Sequence, residues 1–69
     1  MNDEKLKAAV GQFLKKVNFT AQREIEKAVR NAVAGGKLHG DESITAGVTL
    51  SCETLDLNIT VYSKIELGP

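Results

Sequence analysis

Leu6, Ala9, Val10, Phe13, Leu14 and Val17 recur three and four residues apart, while Lys5, Lys7, Gln12, Lys15 and Lys16 fall away from them. That spacing puts one apolar stripe on a helix and predicts a first helix over about residues 3–17. Asn2 or Asp3 can cap its start, and Asp3 and Glu4 suit the positive N-terminal end. Gly11 lies on or beside the stripe at a cost of about 1 kcal/mol relative to alanine, which close approach of another backbone would explain. Asn18, Phe19 and Thr20 interrupt the pattern, and Thr20 reads as the cap of a second helix over about residues 20–34. Arg23 stands where a capping box would place an acid. Ala21, Ile25, Ala28, Val29 and Ala32 form the second stripe, with Val33 at its margin, and Glu26 and Arg30 make an i,i+4 pair outside it. Gly35 and Gly36 end the helix. "KLHGDES" is then a polar linker whose only apolar residue is Leu38.

Beyond residue 43 the period changes to two. Ile44, Ala46, Val48, Leu50 and Cys52 alternate with polar or small residues, as do Leu55, Leu57, Ile59 and Val61, and Ile65 and Leu67 keep the same parity. This predicts an antiparallel hairpin over about residues 43–52 and 55–67, with the apolar side chains on one face. The parity requires opposed residues to have numbers with an odd sum. A short "ET" connection would pair Leu50 with Leu57 and Val48 with Ile59, and a slip of one residue would scatter the apolar set. The expected architecture is α+β in the order ααββ, a single small domain over residues 1–69, with both helices packed on one sheet face. Its core would contain Leu6, Val10, Phe13, Leu14, Ile25, Val29, Val48, Leu50, Leu57, Ile59 and Val61.

Length sharpens this picture. A core built from 69 residues rarely supplies more than roughly 3–5 kcal/mol without a staple. Cys52 is the only cysteine, so no intrachain disulfide forms, and no Cys/His cluster has zinc-like spacing. A lone hairpin is marginal and has two open edges. A homodimer is therefore expected, closed by a shared sheet or exchanged helices. The acidic start "MNDEK" is unlike a signal peptide, and no apolar run approaches membrane-span length. The expectation is a cytoplasmic protein with Cys52 reduced.

Charge is zero overall but uneven. Residues 1–40 carry eight Lys/Arg and four Asp/Glu, whereas residues 41–69 carry one lysine and five acids. Such asymmetry can mark a nucleic-acid surface, or two halves that complement each other. "KKVNFTAQREIEKAV" can be read as a helix-turn-helix corner over residues 15–31 that presents Gln22, Arg23, Lys27 and Arg30 to nucleic acid. Glu24 and Glu26 on the same helix would repel phosphate, so a solvated helix face is the simpler reading. The glycines of "AGGKLHGD" lack phosphate-loop spacing. His39, Asp41 and Glu42 offer only a poor loop cage for a metal. Cys52 and His39 have no orienting acid, so neither a catalytic residue nor a cofactor is expected. On the polar sheet face, Thr49, Asn58, Thr60 and Tyr62 are candidates for a protein-partner surface, with plain solvent exposure as the alternative.

"FTAQREIEKAV", "GKLHGDE" and the closing "KIEL" resemble a family of small bacterial proteins, about 70 residues long, with a domain of unknown function. The matching residues are Gln22 to Glu26, then Gly36, Lys37 and Leu38, then Ile65, Glu66 and Leu67. The resemblance implies a compact helix–helix–hairpin dimer and supplies no activity, ligand or catalytic residue. The expected function is a non-enzymatic, self-associating protein-interaction module, with a nucleic-acid-binding regulator as the alternative.

Overall fold

The computed structural model describes residues 1–68 and has the order helix, strand, short 3-10 turn, strand. The chain forms two compact units, one over residues 1–37 and one beginning at Leu38. The α+β class and the antiparallel hairpin are as expected. The two helices are not: a single helix, α1, runs without a break from Asp3 to Ala34.

The corner at Asn18-Phe19-Thr20 is absent because the apolar stripe never changes phase there. Leu6, Val10, Leu14, Val17, Ala21, Ile25, Ala28 and Ala32 follow one another at intervals of four, four and three. Val17 and Ala21 bridge the supposed break as an ordinary i,i+4 pair. This eleven-residue repeat advances about 3.67 residues per turn, so the stripe stays on one side of a nearly straight helix. Phe19 shares the opposite face with Ala8 and Arg30, each eleven residues away, and is 68% exposed. Asn, Phe and Thr each cost at most roughly 0.7 kcal/mol in a helix, and a second helix would need its own unfavourable nucleus. Continuing is cheaper than turning.

Both ends of α1 are closed by the expected residues. The Asn2 side chain accepts a hydrogen bond from the Lys5 amide at 3.1 Å. At the other end Gly36 takes a left-handed φ of 77°. The Lys37 amide then reaches the Ala32 carbonyl at 2.8 Å, and the Gly36 amide reaches Val33 at 3.1 Å. That is the Schellman arrangement, which glycine permits without a Cβ penalty. Among the described residues, nothing lies within 4 Å of where a Cβ on Gly11 would stand.

In the second unit β1 (Ser43–Cys52) pairs with β2 (Leu57–Glu66). Leu50 lies opposite Ile59 and Val48 opposite Val61, two residues away from the expected register. Glu-Thr offers no residue suited to a left-handed turn position. The connection instead takes in Glu53–Leu55 as a 3-10 turn and closes on Asp56, at φ 51° and ψ 34°. Aspartate tolerates that conformation, and its amide bonds the Glu53 carbonyl at 3.1 Å. A two-residue shift leaves the faces intact. Ile44/Ile65, Val48/Val61, Leu50/Ile59 and Cys52/Leu57 still share one side, with Ala46/Ser63 between them.

The expected core residues are not buried: none of the described residues is. Phe13 is 58% exposed, Ile59 51% and Val61 57%.

Ala21 separates the two descriptions of the helix. If Thr20 capped a second helix, Ala21 would be its first residue, where proline is welcome. Inside a continuous helix, Ala21→Pro should cost about 3 kcal/mol and markedly lower the helical signal in far-ultraviolet circular dichroism. Unchanged helicity would restore the corner.

Candidate functional site

Three groups of side chains carry the chemistry worth weighing. On α1, Gln22, Arg23, Glu26 and Arg30 line a shallow concavity beside Phe19. Lys27 belongs to the same polar half of the helix, so the continuous helix does bring the candidate nucleic-acid residues onto one side. Their charges are largely engaged there. Arg30 Nη2 donates to Glu26 Oε1 at 2.9 Å. The Arg23 guanidinium lies 5.7 Å from the Phe19 ring centroid, with Nε 3.8 Å from Glu24 Oε2. Hydrogen bonds from Gln22, and then from Arg30, hold the Glu26 carboxyl below its usual range. A surface that reads phosphate needs free cations; here Arg30 is closely paired with Glu26, while Arg23 approaches Glu24 only to 3.8 Å. The helix-turn-helix corner itself does not exist.

The polar face of the hairpin is zipped to itself. Thr49 and Thr60 are direct cross-strand partners, and their hydroxyl oxygens are 2.9 Å apart. Ser43 donates to Glu66 at 3.1 Å at the open end. Tyr62 stands opposite Gly47, where a Cβ would meet the ring's Cδ1 and Cε1 at 2.8 Å. Gly47 thus leaves room for the Tyr62 ring to lie across the strand, a coupling visible only once the register is known. Asn58 lies opposite Ser51. All four candidate partner-surface residues, Thr49, Asn58, Thr60 and Tyr62, are exposed, Tyr62 at 70%.

The third group is the linker before β1. Both carboxylate oxygens of Glu42 accept backbone hydrogen bonds: His39 at 2.8 Å, Gly40 at 2.9 Å and Asp41 at 3.2 Å. His39 Nδ1 lies 3.4 Å from the same carboxylate. The Glu42 carbonyl accepts from the Leu67 amide at 2.9 Å, tying the chain beyond β2 to the start of β1. Ligand atoms of His39, Asp41 and Glu42 lie within 4.8 Å of one another, a spacing that a metal ion could bridge. The oxygens a metal would need from Glu42 already accept amides, so the arrangement works as a closed turn. "HGDE" signals a turn in the sequence, but the role of Glu42 as its internal acceptor was not evident there. Cys52, a free thiol, is half-buried on the apolar face opposite Leu57.

Residues 1–68 match the family described as "Family of unknown function (DUF6494)", in keeping with the resemblance drawn from the QREIE, GKL and IEL segments. No curated protein and no solved structure matches the chain.

The Glu42 turn has a definite pH signature. Hydrogen bonding, first from the His39 amide, lowers its carboxyl from about 4.5 to about 2. A depressed folded value means that its contribution is fully present above the ordinary value and is lost as pH falls through about 2. In an NMR titration the Glu42 carboxyl should stay ionised where ordinary glutamates protonate, and the Gly40 amide that donates to it should show a step near the lower value. Glu42→Gln should abolish that late step. Titration of Glu42 alongside the exposed glutamates would show that the turn does not hold it.

Proposed function

The chain belongs to that family of unknown function, and we propose that it is a non-enzymatic module that works by self-association and protein binding. One observation carries the reading: each unit presents a continuous apolar face, and no described residue is buried. On α1 the open positions include Leu6, Val10, Phe13 and Leu14; on the hairpin they include Val48, Leu57, Ile59 and Val61. Contiguous apolar surface of this kind marks an interaction site in a soluble setting. Covering it gains about 25 cal/mol per Å², a driving force these short elements lack alone.

The other chemistries have weaker footing. Cys52 lies on the apolar face, where cysteine acts as a small hydrophobe, and His39 faces the Glu42 carboxylate in a turn. The lone thiol suits a reducing compartment, which agrees with a cytoplasmic location. No helix among the described residues is long and apolar enough to cross a membrane. Nucleic-acid binding draws no support from a helix face that intersperses Glu24 and Glu26 with its cations.

Sedimentation equilibrium of the full chain, from low micromolar to submillimolar concentration, tests the proposal. A concentration-dependent dimer is expected, weakened by Phe13→Asp. A monomer throughout that range would overturn self-association.

A further inference from the structure

The self-association proposed above leaves open which surface meets which. We infer that α1 pairs with α1 of a second copy, antiparallel, about a two-fold axis level with Phe19. In that register, residues whose numbers add to 38 face each other. Leu6 meets Ala32, Val10 meets Ala28, Phe13 meets Ile25 and Val17 meets Ala21. Leu6, Val10 and Val17 each fall opposite an alanine, as close packing favours, while Phe13 meets Ile25 and Leu14 falls opposite Glu24. A parallel, in-register pair would set Leu6 on Leu6 and Val10 on Val10 at one end. At the other it would leave Ala28 on Ala28 and Ala32 on Ala32. One end would be crowded and the other hollow.

Three further features favour the same arrangement. Antiparallel helices oppose their dipoles, whereas parallel ones align them. In this register Lys16 of each copy comes within about one turn of Glu24 of the other, forming two symmetry-related pairs. Within its own chain Glu24 has only the loose 3.8 Å approach of Arg23. The eleven-residue phase also keeps both stripes in contact along the full length of nearly straight helices.

The area is adequate. Thirty-two residues make a helix roughly 48 Å long and about 11 Å wide, so a matched pair removes roughly 1,000 Å² in all, about what a specific interface needs. Contacting positions are open to receive it: Leu6 and Val10 are each 46% exposed, and Phe13 is 58%. The sheet face is also apolar, but nothing in its residue order selects an occupant.

The test uses the full chain carrying Cys52→Ser, into which Leu6→Cys and Ala32→Cys are placed separately. After mixing and mild oxidation, the disulfide between the two variants should form in roughly tenfold or greater excess over either homodisulfide, because facing thiols have the higher effective concentration. Val10→Cys mixed with Ala28→Cys repeats the test away from the helix ends. Homodisulfides in excess would mean a parallel pair and overturn the inference. Sedimentation of the same mixtures before oxidation separates the two levels. A dimer without the mixed disulfide rejects this pairing but keeps self-association, and a monomer rejects both.

Discussion

Burial is the constraint on which the rest depends. A single helix and a two-stranded sheet each have an apolar face but no interior, since an interior needs a second layer. Caps, turn and register are all in order. No described residue is buried on the stripe of α1 or on the Ile44 to Ile65 face of the hairpin. Net stability is a small remainder between burial and chain entropy, so surface left in water weighs heavily in so short a chain. Self-association is the response that this constraint favours.

The eleven-residue phase of α1 then determines how such association can work. A seven-residue repeat would wind two helices leftward and meet its partner along a narrow seam. Intervals of four, four and three keep a wide stripe almost parallel to the axis. They also carry it across Asn18, Phe19 and Thr20 without a step. The gradient from Leu6, Val10 and Leu14 to Ala21, Ala28 and Ala32 gives the stripe a direction, and direction distinguishes antiparallel from parallel pairing. The polar residues have the complementary task of closing the edges. Glu26 holds Arg30, Thr49 meets Thr60, and Glu42 gathers the amides of its own turn.

Much of this was legible in the sequence, and the failures have physical causes. The change of period after residue 43, the shared parity of the strands and the Gly35-Gly36 stop were readable because each depends on local spacing. The continuity through residues 18–20 was harder to read, because weak helix formers there imitate a break while the stripe phase runs on. The i,i+4 step from Val17 to Ala21 held the correct answer. The register missed by two because parity cannot distinguish shifts of two; the decision lay with Asp56, which accepts a left-handed backbone where Glu53 and Thr54 do not. The coupling of Gly47 with Tyr62 followed from that register and was hidden without it. Gln22, Arg23, Lys27 and Arg30 lie on one side of the continuous helix, and the Glu26–Arg30 pair was readable from its i,i+4 spacing.

The central claim joins two statements: α1 is one helix, and its apolar stripe is covered by a second copy. Amide hydrogen exchange across residues 17–24, measured at several protein concentrations, addresses both. The account predicts unbroken protection through Asn18, Phe19 and Thr20 that rises as the protein is concentrated. Rapid exchange confined to those three amides, or protection independent of concentration, would contradict it.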